Sequence, residues 1–327
     1  MLQAIDVFLF STQDCPERER VELWREAFGR AVMRAEIDPV AAAPFSAAMR
    51  LRQLPGLGIA AGFCAGMDFR RTSQLADNDD FILNAVTRGE SEIHQGGKSI
   101  VLRAGEATLI DAAQASTCLV RGPTHSMAVR IPRSALAPLL KDASARLMQP
   151  LQRQAEALGL LVGYGSLFLD NARFGGRATA SLAARHLLDL AASALSGEEP
   201  ARAAPRGRGV RAARYAALEA DIARNYHQSH LTIGLLASRH RLSVRYAQAL
   251  LAEHQTSFSE LLMARRLEAA HRLLSAPSAT GRVIADTAHE VGFSDLSYFH
   301  RAFRRRFGAS PGEVRAGQGS LSAGPST

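Results

Sequence analysis

Two stretches near the C-terminal end of this chain set polar side chains opposite apolar ones at helical spacing. Wound at about 100° per residue, Ser297, Arg301, Arg304 and Arg305 fall on one side, and Leu296, Phe299, Phe303 and Phe307 on the other. In the earlier stretch, Arg245, Gln248 and Ala249 face away from Val244, Ala247, Leu250 and Leu251. The chemistry on offer is fork-like hydrogen bonding. A guanidinium donates in parallel to a guanine edge or a phosphate, and a glutamine amide pairs bidentately with adenine. One arginine-rich face alone is ordinarily a solvated surface, so the elements that position it must decide its meaning.

Each stretch is the second half of a pattern that occurs twice. In 232–253, Thr232 caps a short helix over Ile233 to His240, a tight turn follows at Arg241, Leu242 and Ser243, and Ser243 caps the next helix. In 283–306, a helix over Val283 to Glu290 turns at Gly292, and Ser294 caps its successor. Short helix, tight turn and longer helix make a helix-turn-helix unit. Between the two lies a capping box at Ser257 and Glu260, opening a helix of about 18 residues, roughly 27 Å long. A rod of that order can hold two reading helices about one DNA turn, roughly 34 Å, apart.

Charge supports the same reading. Residues 201–327 carry eighteen arginines, no lysine and nine acidic residues, whereas residues 1–200 carry 21 basic against 22 acidic residues. The surplus of +8 therefore sits wholly in the C-terminal part, which points to a polyanionic partner.

Residues 231–315 resemble the DNA-binding domain of the AraC/XylS regulators. The stretch IADTAHEVGFSDLSYFHRAFRRRFGASPGEVR, residues 284–315, follows that family's signature at Gly292-Phe293-Ser294, Tyr298-Phe299, Phe303, Phe307-Gly308 and Ser310-Pro311. The first unit departs from it. Arg241 stands where glycine is usual, Ala247 where leucine is common and Ala249 where a longer contact residue is common, while Val314 replaces an aromatic. The resemblance implies base or backbone contacts from Arg245, Gln248, Ser297, His300 and Arg301. It also implies contact with RNA polymerase, and activation rather than repression.

The rest of the chain supplies a second domain. Residues 45–131 read as short strands broken by turns, with 81–83, 99–102, 107–110 and 127–129 among them and Gly96-Gly97 as a hairpin signal. Residues 134–195 read as helical, with an apolar stripe of Leu182, Leu187, Leu188, Ala191 and Leu195 and Gly197 as its stop. That stripe needs a cover, either the strands of its own domain or a second subunit. The stretches STQDCPERERVELWREAFGR and GKSIVLRAGEATLIDAA resemble the sensing domain joined to some of these regulators. This resemblance implies a cupin-like β-barrel holding a small-molecule effector, and a homodimer formed through the helices of 134–195.

The expected fold is thus α+β in two domains. A sensing and dimerisation domain occupies 1–195, a linker rich in Gly, Pro and charge 196–211, an all-α domain with two helix-turn-helix motifs 212–316, and a flexible tail 317–327. The expected partners are double-stranded DNA, an effector and RNA polymerase, with no membrane. No run of about 18 apolar residues and no secretory signal is read, so the expected place is the cytoplasm, at the nucleoid.

Catalysis is not expected. The alternative is a cupin-type enzyme domain fused to a DNA-binding module, but metal-dependent cupins need a His-x-His pair with a Glu and a further His. His94, His125 and His186 have no such spacing, so no metal and no cofactor are expected. No phosphate loop, dinucleotide fingerprint or nucleophile elbow is present. A non-specific nucleic-acid binder is a third reading, distinguished by uniform affinity for all duplexes. Cys15, Cys64 and Cys118 are too widely spaced for a disulfide framework and read as buried small hydrophobes, with redox sensing as the minor alternative. Trp24, on an amphipathic helix, reads as core rather than as ligand wall.

Overall fold

The computed structural model describes residues 7–31, 33–40, 45–76, 78–140, 142–151, 156–171, 176–196, 207–276 and 282–317. The chain divides into two compact units, Met1–Ala213 and Arg214–Thr327.

The first unit holds β1 Phe8–Ser11, α1 Arg20–Ala31, β2 Glu36–Pro39, β3 Ser46–Leu54, β4 Leu57–Ala65, β5 Met67–Arg71, β6 Phe81–Arg88, β7 Glu90–Gln95, β8 Lys98–Arg103, β9 Ala107–Asp111, β10 Ser116–Val120, β11 Thr124–Ile131, α2 Arg133–Leu136, α3 Glu156–Asp170 and α4 Arg177–Ser196. The strands form two antiparallel sheets, ordered β1-β3-β4-β11-β6-β9 and β2-β5-β10-β7-β8. Gly96 and Gly97 both adopt positive φ, as a two-residue hairpin turn demands, and set Gln95 opposite Lys98. The two sheets are tied by Gln95, whose amide donates to the Asp111 carbonyl (2.9 Å) and accepts from the Asp111 N–H (2.8 Å). The free edge at β9 is covered by 147–151, where Ala107 and Leu151 exchange backbone hydrogen bonds of 3.1 and 2.8 Å.

On α4 the apolar stripe is only partly as expected. Leu187, Ala191 and Leu195 are buried, but Leu182 is 45% exposed. The packed face is set instead by Ala180, Ala183 and Ala184, small residues that let α4 lie close to α3 and β3. Arg52 on β3 is fully buried and donates to the Phe168 (2.7 Å) and Asn171 (3.2 Å) carbonyls, placing a cation at the C-terminus of α3. Strands β1 and β2 precede the strand-rich stretch read from sequence. They are four residues each, too short to show an alternating pattern.

Of the expected linker, 197–206 lie outside the described residues, as do Gly197 and residues 318–327 of the expected tail. Residues 207–211 are not linker. They open a helix, because Val210 is buried and the absent side chain of Gly209 admits the His186 carbonyl, 2.8 Å from where a Cβ would lie.

The helices that follow are α5 Gly207–Asn225, within which the unit boundary falls, then α6 Ile233–Arg239, α7 Val244–Glu253, α8 Phe258–Ser275, α9 Ile284–Glu290, α10 Leu296–Phe307 and α11 Pro311–Arg315. Two apolar clusters form around α8. One joins Leu218, Ile222, Leu236, Leu250 and Leu262, and the other joins Leu274, Phe293, Phe299, Phe303 and Val314. Tyr226 packs against both.

The two helix pairs share a turn. After α6, Arg241 N–H donates to Ser238 O (3.0 Å) and Leu242 N–H to Ala237 O (2.9 Å). After α9, Gly292 N–H donates to His289 O and Phe293 N–H to Ala288 O, both at 2.9 Å. The turn needs a left-handed residue, which Gly292 supplies at φ 95° and Arg241 at φ 53° despite its Cβ. Changing Gly292 to Ala is expected to cost roughly 2–4 kcal/mol in chemical denaturation, because the new Cβ would lie 2.8 Å from Tyr226 O and 2.9 Å from His227 O. Changing Arg241 to Gly relieves strain and is expected to shift stability by less than about 1 kcal/mol, in the stabilising direction.

His271 on α8 lies 4.4 Å from the Phe307 ring, and burial lowers its pKa from the ordinary 6.5. The folded pKa then lies below the unfolded one, so the unfolded chain binds more protons once the pH falls under about 6.5. Stability is lost as the pH drops through that value, and the loss levels off below the folded pKa. Amide hydrogen exchange on α8 and α10 is expected to lose protection between pH 7 and pH 5 in the native chain, and to lose less in His271→Leu. Equal losses would remove His271 as the cause.

Candidate nucleic-acid interface

The N-termini of α7 and α10 are fixed by side-chain caps. Ser243 accepts from Tyr246 N–H (3.2 Å), as the sequence suggests. The cap of α10 is Asp295, which accepts from Tyr298 N–H at 2.9 Å, and not the expected Ser294. The helix starts one residue later than Ser294 would place it, and a carboxylate at that end also suits the helix dipole. Thr232 caps α6 as expected, accepting from Leu235 N–H (3.2 Å), but α6 ends at Arg239 and α9 begins at Ile284, one residue inside the expected bounds. The box at α8 is half of what was expected. Ser257 accepts from Glu260 N–H (3.2 Å), while the Glu260 carboxylate takes the Ser257 hydroxyl (2.9 Å). A full capping box is found instead at Ser310 and Glu313, opening α11.

Packing leaves one face of each longer helix open. Ala247, Leu250 and Leu251 of α7 and Phe299, Ala302 and Phe303 of α10 are buried. Arg245, Gln248, Ser297, Arg301, Arg304 and Arg305 are exposed, and His300 is half-buried with its ring against Phe299. Among the described residues none hydrogen-bonds or ion-pairs with the side chains of Arg245, Gln248, Ser297, Arg301 or Arg305. Other arginines of the unit are spent on the fold. Arg239 pairs with Asp221 (3.2 Å), Arg265 with Glu219 (3.2 Å), and Arg282 with Glu290. Arg304 lies toward α11, where its charge helps the Ser310 backbone and hydroxyl donors to lower the Glu313 carboxyl pKa.

Val244 and Leu296 depart from the sequence reading, which placed both on the core face. They are 40% and 37% exposed. Each is the first residue of its helix, before the first full turn that could fold it inward, and the two positions are equivalent. The signal available in the sequence was this equivalence, an apolar residue directly after the cap in both copies.

In the first unit the three histidines stand apart. His94 on β7 pairs with Glu92 (3.0 Å), His125 on β11 packs on Phe63, and His186 on α4 bonds the Tyr164 hydroxyl (2.8 Å). Burial, with Arg185 and Arg208 adding to it, lowers the His186 pKa. Cys64 and Cys118 are half-buried, and burial of their thiols pushes both pKa values up to about 12. A protonated thiol is a poor nucleophile, which disfavours redox sensing at these two positions. Among the described residues no helix is long and apolar enough to cross a membrane.

Comparison with known proteins places both parts. Residues 24–196, more than half of the chain, match the AraC-binding-like domain family, and residues 236–317 match a helix-turn-helix domain family. The chain is 28% identical over 250 residues to the transcriptional activator NphR of Rhodococcus sp, covering 74% of this chain and 71% of that protein. It is 28% identical over 246 residues to the transcriptional activator RhrA of Rhizobium meliloti (strain 1021), covering 74% of this chain and 75% of that one. The crystal structure of the AraC-like transcriptional activator CuxR, 15% identical, superposes with a TM-score of 0.49 over 87% of this chain and 99% of that chain. An AraC-binding-like domain followed by a helix-turn-helix domain with an unpaired basic face makes this chain a member of the AraC family of DNA-binding transcriptional regulators.

Proposed function

We propose that the protein is an effector-responsive transcriptional activator that reads two adjacent major-groove segments. The observation that carries this is the set of unpaired, exposed polar side chains on α7 and α10, each backed by a buried apolar face. Both pairs act as helix-turn-helix units. In this reading Arg301 and Arg245 donate to guanine edges or phosphates, Gln248 to adenine, and Ser297 and His300 to bases or backbone, while Arg304 and Arg305 hold phosphates. Val244 and Leu296 meet thymine methyl groups. Ala249 offers no hydrogen bond, so α10 carries more of the sequence reading than α7.

The names of NphR and RhrA support activation, which would act through contact with RNA polymerase. The two sheets of the first unit act as a cupin-like barrel for a small-molecule effector, and its helices join two chains as a homodimer. Binding shifts the population of dimers able to occupy adjacent half-sites. The protein would work in the cytoplasm, at the nucleoid.

The test is fluorescence anisotropy on a duplex selected from random sequence. Arg301→Ala is expected to weaken the selected site by about 1–3 kcal/mol and to relax the preference at one position. Equal weakening on random duplex would make Arg301 a phosphate contact only. Affinity is expected to fall steeply with salt as condensed counterions are released, and a flat response would contradict the electrostatic basis.

A further inference from the structure

A partly open, mostly apolar space of about 150 Å³ lies in the first unit between its two sheets and against α1. Phe28 of α1, Met49 of β3, Phe69 of β5 and Ile93 of β7 supply apolar wall. Among the described residues that line it, Arg71 is the one that carries a formal charge. It is held by the Ala112 (2.9 Å) and Arg34 (2.8 Å) carbonyls. The protonated thiols of Cys64 and Cys118 add soft, uncharged surface.

Trp24 completes the wall and is anomalous. The indole is 3% exposed and fixed between Phe10 and Phe28, with ring centroids 6.0 and 5.7 Å away. Its Nε1–H is buried and meets no acceptor among the described residues. An unpaired buried donor costs about 1–3 kcal/mol, which burial of the ring alone does not require. Indole N–H donates and never accepts, so a partner for it must bring an acceptor atom. Trp24 is core, as the sequence reading has it, packed with Ile37, Met49 and Met67, and it also borders this space.

Size narrows the partner further. Apolar protein cavities of about 150 Å³ admit a benzene ring. We propose that this space takes a ligand of one aromatic ring bearing an acceptor oxygen, the ring lying against Phe28, Met49 and Phe69 and the Trp24 indole shifting to give its enclosed Nε1–H to that oxygen. The assignment names the effector class for the sensing role proposed above and rests on that reading only for its regulatory consequence.

The experiment is calorimetric titration of the full chain with benzoate, benzamide, toluene and glucose, with thermal shift as a second readout. Benzoate and benzamide are expected to bind once per chain and to raise Tm with dose, and toluene to bind more weakly. Trp24→Phe keeps a ring and removes the donor. It is expected to weaken benzoate and benzamide about tenfold and to leave toluene unchanged. Ala60→Leu fills the space from β4 and is expected to abolish binding of all three rings. It carries the test should Trp24→Phe fail to fold.

Three results overturn the proposal: no ring binds the native chain, Ala60→Leu binds like it, or Trp24→Phe weakens toluene as much as benzoate. A Tm rise with glucose and with no ring would overturn this ligand class while sparing the sensing role. Ring binding that leaves DNA affinity untouched would support the ligand class and contradict the sensing role.

Discussion

Arg266, in the middle of α8, donates to the carbonyls of Tyr226 and Gln228, both at 2.8 Å, from a site only 9% exposed. Its guanidinium lies 5.9 Å from the Phe293 ring, and its Nε lies 2.9 Å from where a Cβ of Gly292 would stand. Burial lowers its pKa, yet a guanidinium in such a place remains a cation and must be satisfied. It is satisfied by two carbonyls past the end of α5, of which that of Gln228 also accepts from Leu231 N–H (3.1 Å). The left-handed glycine of the second helix pair has to close over the same spot. One contact thus joins the end of α5, the spacer α8 and the turn of the second pair, and the two apolar clusters on either side of it share Tyr226. Leaving the buried guanidinium or the Tyr226 carbonyl unpaired would cost its full desolvation penalty, so the arrangement is stiff as well as stable.

What this stiffness provides is a fixed pair of faces. The α8 helix has eighteen residues, so its axis spans about 27 Å. The helices that flank it bury Leu250 and Phe303 and leave Arg245, Gln248, Arg301 and Arg305 without partners. Such side chains keep their rotamer freedom in the free protein and lose it only on a ligand that repays them with charge-assisted bonds. The repeated turn geometry, one copy relaxed at Gly292 and one strained at Arg241, fits a tightly held second pair and a more tolerant first pair.

Much of this was legible in the sequence because short-range chemistry settled it. Thr232 and Ser243 cap where a hydroxyl before an apolar run must cap, Gly96-Gly97 turns where two positive φ values are needed, and the domain-confined arginine surplus follows from counting. Asp295 displaced Ser294 because both are good caps and only the packing of Phe299 and Phe303 decides which residue starts the helix. Leu182, Val244 and Leu296 went the wrong way for one reason. A helical wheel assigns faces but not what lies beyond them, and small alanines or a chain end can turn an apolar residue outward. The space beside Trp24 was beyond reach from sequence, since its residues come from α1 and from strands of both sheets that are distant along the chain.

We propose that α8 and the Arg266 contact hold α7 and α10 for two successive grooves. Hydroxyl-radical and methylation footprinting on a selected duplex tests it most directly. This arrangement requires two protected major-groove segments on one face of the duplex, centred about 10 base pairs apart. It also requires the segment read by α7 to fade when Arg245 and Gln248 are both changed to Ala, with the α10 segment kept. A single protected segment in the native complex, unchanged by that substitution, would contradict it.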